Sequence, residues 1–310
     1  MVRLAVCALC AIVGLSASGQ RQPATQTGPW NNDILVMRVP PGGMAAGPGG
    51  PSRGELLATF RRAGVSTLAR LQDGRLIAAH QHFPENNDAD FDKVAVHFSA
   101  DEGRTWTPAA VITVDGLPEG MRFPFDPTLV PLPDGRVRLY FTSRRFGQND
   151  LPAIYSAVST DGIRYVFEPG RRFGLEGRPV IDCAVVRHDG TFHLFAPDNG
   201  PALPPGPGSP MVGRGPDGAG YHATSRDGLT FTRVADVHLD GTPRNWLGAA
   251  YSDGTTITFF GTGGGIWTAT STDGASWTPG VRLPLMGADP GVVPAKDGGW
   301  IFSVTGPSRR

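Results

Sequence analysis

The sequence is poor in lysine, in cysteine and in charge overall. Only Lys93 and Lys296 occur, so nearly all positive charge is arginine. Charged residues make up 18% of the chain, and 28 basic residues balance 28 acidic ones to a net charge of zero. That balance argues against a generic nucleic-acid binder, which needs a basic surface. The three cysteines are Cys7, Cys10 and Cys183. The first two lie in residues 1–19, which read as a secretory signal: Arg3, an apolar run from Leu4 to Leu15, then Ser16-Ala17-Ser18-Gly19 as small residues for cleavage. The mature chain then keeps Cys183 alone and forms no internal disulfide. The apolar run is shorter than the ~20 residues that cross a bilayer, and no second run approaches that length. The chain is therefore expected to be secreted or periplasmic, with no membrane span, no nucleic-acid partner and a fold that rests on its own core.

What is abundant is glycine (43) and proline (29). Together they exclude a long helical protein, and the absence of a three-residue glycine period excludes collagen. Sixteen Phe, six Trp and five Tyr supply core material. A turn-rich, mostly β protein remains.

Internal repeats organise it. Five Asp-Gly pairs, at Asp73, Asp134, Asp189, Asp253 and Asp297, each sit between two β-rich runs. Asp-Gly is a hairpin signal because glycine takes positive φ at no steric cost. A second element follows four of them: Ser-x-Asp, then Gly, then an aromatic. It begins at Ser99, Ser159, Ser225 and Ser271 and ends at Trp106, Tyr165, Phe231 and Trp277. Its Asp can accept backbone hydrogen bonds within the turn, and its aromatic can pack between sheets. Each unit is thus hairpin, loop, hairpin, or four antiparallel strands, and a radial array of such sheets is a β-propeller. The unit from Pro290 to Val304 lacks a second half, which the N-terminal runs Ile34–Val39 and Glu55–Phe60 can complete. An all-β propeller of five blades follows, with six as the alternative. Residues 20–32 read as a flexible tail and 33–310 as one domain, expected to be monomeric.

The four Ser-x-Asp elements resemble the Asp boxes of sialidases and related BNR-repeat propellers, over roughly Ser66 to Val304. Asp126-Pro127 and Asp289-Pro290 also resemble the inner-strand Asp-Pro of five-bladed furanosidase-type propellers. Both resemblances imply a glycan site at the central channel, on the face where the inner strands begin, and no cofactor. The sialidase resemblance implies a general-acid Asp in the first-blade loop, a place taken by Asp88. Its other parts are missing: Gly64-Val65-Ser66 stands where sialidases carry Arg-Ile-Pro, and the last blade has no Tyr nucleophile with a Glu partner. The furanosidase type implies a Glu acid, for which Glu85 and Glu176 lie in loops without a matching motif.

The repeat itself selects further candidates. Asp126, Asp182 and Asp289 lie seven or eight residues before an Asp-Gly pair, a spacing that points all three into the channel as candidate catalytic carboxylates. Converging carboxylates can divide acid and base roles, or they can tie blades together as hydrogen-bond acceptors. Arg122 and Arg178 each precede one of these aspartates by four, and Arg244 has a similar place before blade four. They are expected to grip an anionic group on the substrate, or else to pair with the neighbouring Asp. His80 and His82 share one strand face and are read as sugar-binding. With Asp88 they also form a possible metal donor set, but no metal is expected.

Overall fold

Apolar side chains occupy consecutive rather than alternate positions in many strands. Val137–Ser143 is buried at all seven positions, so this strand must be covered on both faces. The computed structural model, which describes residues 28–44, 54–146, 150–203, 213, 215–239 and 245–307, shows what covers it. Five antiparallel sheets stand in a ring, and each blade is sandwiched between two others.

From the channel outward, blade one is Ala63–Arg70, Leu76–His82, Lys93–Ser99 and Ala110–Val111. Blade two is Phe125–Pro131, Val137–Ser143, Ala153–Ser159 and Arg164–Phe173, with Thr113–Asp115 added in parallel at its rim. Blade three runs Ala184–His188, Thr191–Pro197, Ala219–Ser225 and Thr232–Arg233, and blade four Asn245–Ser252, Ile257–Thr262, Ile266–Ser271 and Val281–Arg282. Blade five combines Ala288–Pro294 and Trp300–Pro307 with the N-terminal Asn32–Val39 and Glu55–Phe60. The first strand pairs over its whole length with the last, from Asn32↔Pro307 to Val39↔Trp300. The count of five and the closing role of the N-terminal strands match the sequence expectation. Of the expected tail, residues 28–32 are described: a short 3-10 turn, Pro29–Asn31, leads into the closing strand at Asn32. The expected signal segment, 1–19, lies outside the described residues.

The core is divided into five clusters, one at each blade–blade interface. The blade three–four cluster, for example, packs Phe195 and Val186 against Trp246, Phe259 and Trp267.

The two turn signals build this ring from local geometry. At Leu71–Arg75, Leu132–Arg136 and Ala295–Gly299 the Gly of the pair is left-handed, with φ of 85°, 85° and 87°. These are three-residue hairpin loops, a type I turn followed by a glycine bulge. Only Asp189-Gly190 has both residues at positive φ (44° and 77°). In every Ser-x-Asp turn the Ser Oγ donates to the Asp Oδ1 at 2.8–3.0 Å and accepts from the Gly N–H at 2.8–2.9 Å. The first turn is one residue longer, absorbed by Glu102 at φ 59°. The terminal aromatics reach the preceding blade: Trp106 lies edge-on to Phe60 at 5.3 Å and Trp277 to Phe195 at 5.3 Å. Ser271→Ala should therefore lower stability by about 1–3 kcal/mol, because the Gly274 N–H, bonded in a buried position to Ser271, loses its acceptor. Thermal unfolding of the variant against Thr272→Ala, an exposed control on the same turn, checks this.

Candidate functional site

Four of the five inner strands start with a register shift at the channel mouth, and the fifth, Ala184–His188, is preceded by the left-handed Asp182. The register shifts between Gly64 and Ser66, between Phe125 and Thr128, between Asn245 and Gly248, and between Ala288 and Gly291. Val65, Asp126, Asp182 and Asp289 are left-handed there, with φ of 46°, 50°, 55° and 48°. Asp tolerates that conformation better than most residues, while a β-branched Val is an outlier. Such strain persists only where the surroundings impose it. Here a threonine of the preceding blade imposes it three times. The N–H of Asp182 donates to Thr142 Oγ1 (3.1 Å), that of Asp289 to Thr262 Oγ1 (2.9 Å) and that of Val65 to Thr305 Oγ1 (3.1 Å).

The left-handed turn brings Asp126, Asp182 and Asp289 to one narrow channel, whose free volume is about 40 Å³. Asp126 is buried, and Asp182 and Asp289 keep partial exposure while lining the channel. Asp182 Oδ1 and Asp289 Oδ1 are buried without a hydrogen-bond partner. Burial therefore dominates their chemistry. It pushes the Asp126 carboxyl up to about 6, against the hydrogen bond from Thr142 and the charge of Arg122. It lifts Asp182 well above the usual carboxylate range, with the charges of Asp126 and Asp289 adding to the effect. Asp289 is raised to about 7 by burial and by the charge of Asp126. Asp126 and Asp182 line the same channel, and the charge of Asp126 adds to the rise of Asp182. Buried carboxyls that raise one another in this way can divide acid and base roles.

Arg122 and Arg178 do flank these carboxylates, but both precede the inner strands, so the shared strand face expected for residues four apart does not exist. Their partners come from loops instead. Arg122 Nη2 donates to Asp92 Oδ2 at 2.6 Å, and its guanidinium lies 3.8 Å from the centre of the Phe125 ring. Arg178 Nη1 donates to Asp198 Oδ1 at 2.8 Å, while the Tyr221 hydroxyl donates to the same oxygen at 2.6 Å. Each arginine is neutralised by a carboxylate other than the one expected. Arg244 lies outside the described residues.

Other candidates fall away from the channel. Asp88 is exposed on the loop after Leu76–His82 and does not line the channel. His80 is buried between blade one and the outermost strand of blade five. It stacks on Phe60 at 5.7 Å and bonds His97 Nε2 at 3.0 Å. Burial pushes its imidazole down to about 3, so it stays neutral. His82 lies edge-on to His80 at 5.8 Å with its Nδ1 buried and unpartnered. His80 is enclosed between blades, His82 is partly exposed, and neither lines the channel. Among the described residues no three His, Cys, Asp or Glu side chains converge as a metal site. Cys183 is buried beside Asp182 as a free thiol.

Sequence reasoning passed over the threonines that hold the aspartates. Their signal was present: Thr142, Thr262 and Thr305 each lie eight or nine residues after the Asp of an Asp-Gly pair. Asp92 and Asp198 had no comparable signal.

The chain matches no protein-family model and no curated protein. Solved structures match its fold. One is a GH43 β-xylosidase/α-arabinofuranosidase from a compost microbial metagenome, in complex with xylotriose, at TM-score 0.52 and 18% identity, with 78% of this chain and 84% of that one covered. A second is an α-L-arabinofuranosidase from Clostridium thermocellum, at TM-score 0.55 and 13% identity over 77% and 80% of the two chains. A third is an N-acetylgalactosamine deacetylase from F. plautii in complex with blood group B trisaccharide, at TM-score 0.55 and 14% identity over 78% and 80%. At these identities the likeness is one of fold, the five-bladed propeller, and it lies on the furanosidase side of the two resemblances read from the sequence.

Proposed function

We propose that the chain is an exported glycoside hydrolase of the furanosidase propeller type. The observation that carries this reading is the convergence of Asp126, Asp182 and Asp289 on one channel, with Asp182 Oδ1 and Asp289 Oδ1 buried and unpartnered. Glycoside cleavage needs an acid for the leaving oxygen and a base or nucleophile on the other side of the sugar. Asp126 and Asp182 are two of the channel carboxylates available for these roles. Asp289 is the third carboxylate, supplied by blade five. The structural likeness to a xylosidase/arabinofuranosidase and an arabinofuranosidase supports a pentose-containing glycan as substrate. The sialidase variant has less support, since Asp88 does not line the channel and Val65 occupies the channel wall where an arginine would hold a carboxylate. Export rests on residues 1–19 of the sequence.

A second reading, a non-catalytic glycan-binding propeller, is favoured by the small free volume of the channel, room for water and not for a sugar ring. One experiment separates the two. Aryl α-L-arabinofuranoside, β-D-xyloside, uronide and sialoside are offered to the wild type, to Asp126→Asn and to Asp182→Asn. Turnover on the arabinofuranoside or xyloside, reduced roughly 10²–10⁴-fold in each variant, is the expected result. No turnover on any substrate, with glycan binding intact in the variants, favours the binding reading and sinks the enzyme.

A further inference from the structure

The sequence placed anion recognition at the channel arginines, but Arg122 and Arg178 are already neutralised by Asp92 and Asp198. Free positive charge lies elsewhere on the same side of the molecule. A groove of about 1,040 Å³ opens on the outer part of blade two, at the upper end of the size of small-molecule sites. Arg145 and Arg171 both line it. Both are exposed, and neither ion-pairs with a carboxylate among the described residues, whereas Arg62, Arg70, Arg122, Arg138 and Arg178 all do.

The groove is built by the backbone. In the pairing of Ala153–Ser159 with Arg164–Phe173, Ile154 faces Phe173 and Ser156 faces Glu168, so residues 169–172 bulge out opposite Tyr155. The bulge is held from inside by Arg172, whose buried guanidinium donates to the carbonyls of Glu168, Pro169, Gly170 and Leu229. This leaves the neighbouring Arg171 exposed on the groove wall. Tyr155 stays half-exposed there, stacked on Phe141 at 6.3 Å and tilted against Phe167 at 6.4 Å. Burial raises the Tyr155 phenol, and the charges of Arg171, Asp150 and Arg145 all act on it, so these groups surround one aromatic ring. Asp150 and Glu176 complete the polar lining. Met121 and Gly177 also line the groove and directly precede Arg122 and Arg178, so a chain seated in it can reach the channel mouth.

We propose that this groove binds an acidic sugar unit of the glycan, one bearing a carboxylate or sulfate, with Tyr155 under the sugar face and Arg145 and Arg171 on the anion. A half-buried aromatic gives a stacking surface with one end wet, and guanidinium groups match planar anions in a bidentate manner. The inference rests on the reading of the protein as carbohydrate-active but not on its being a hydrolase.

The test is calorimetric titration with three tetrasaccharides: a uronate, its carboxyl-reduced neutral counterpart and a sulfated chain of equal length. Wild type should bind an acidic chain at least ~10-fold more tightly than the neutral one, with affinity falling as salt rises. Arg145→Ser/Arg171→Ser should abolish that preference with an unchanged melting temperature, since both side chains are exposed. Tyr155→Leu should weaken all three. Asp126→Asn should keep the preference, so loss of hydrolysis and loss of groove binding remain separable. Tighter binding of the uronate identifies a carboxylate as the anion, and tighter binding of the sulfated chain a sulfate. Equal binding of acidic and neutral chains by the wild type, or a preference that survives Arg145→Ser/Arg171→Ser, overturns the proposal.

Discussion

Asp289→Asn is expected to be clearly more stable than the wild type at pH 8 and to keep an advantage of only about 1 kcal/mol at pH 4.5. In the fold, burial and the charge of Asp126 raise the Asp289 carboxyl to about 7, while in the unfolded chain it titrates near its ordinary value of 3.8. Between those values the folded chain holds a proton that the unfolded chain has released. Stability therefore falls as pH rises through this window, and the loss is complete above the folded value. Each pH unit of difference corresponds to ~1.4 kcal/mol, so the gap between variant and wild type should reach on the order of 4 kcal/mol at pH 8. For a domain of this size that is roughly 5–10 °C in Tm. Asparagine adopts the left-handed backbone as readily as aspartate, so φ 48° at this position is not a second variable. Thermal unfolding of both proteins at pH 4.5, 6 and 8 is the measurement. A gap that stays constant with pH would show that the carboxyl is not held protonated by burial. Gained stability alongside lost turnover in this variant would mark the carboxylates as kept for chemistry at the expense of the fold.

The second large effect concerns ring closure. Deleting residues 1–61 removes Asn32–Val39 and Glu55–Phe60, leaving blade five with two strands. Ile34, Val36 and Phe60 then no longer cover Leu68, Leu76 and Ala78 of blade one, with which they share a core cluster. Trp300–Pro307 becomes an open edge along the eight residue pairs it makes with the first strand, an invitation to intermolecular strand pairing. The truncated chain should show no cooperative thermal transition and should elute from size exclusion as aggregate. Val36→Asp tests the same interface in the full chain. Val36 is fully buried, and an unpaired carboxylate there should cost at least ~4 kcal/mol. A truncated protein that melts cooperatively within a few degrees of the full chain would refute the closure.

Most of the ring was legible before any coordinates. The Asp-Gly hairpins and Ser-x-Asp turns are specified by contacts a few residues apart, such as Ser271 with Asp273 and Gly274. Local chemistry of that kind repeats in sequence as it repeats in space. The convergence of Asp126, Asp182 and Asp289 was legible for the same reason, since equal places in equal units reach the same radius of a ring.

The orientation of His80 was not legible. Both faces of a blade are interfaces with neighbours, so alternation along Leu76–His82 distinguishes no solvent face, and Phe60 of blade five decided where the ring packs. The arginines failed differently. Arg122 finds Asp92 at a separation of 30 residues and Arg178 finds Asp198 at 20, through loops with no repeat to index them.

The sequence alone determined the propeller architecture and the three channel carboxylates and narrowed the blades to five or six, because turn chemistry and repetition are local properties. Tertiary structure decided their proton affinities, the neutralisation of the channel arginines and the free cations of the blade-two groove. Each of these depends on burial and on charges brought together from distant segments, and neither quantity exists until the ring has closed.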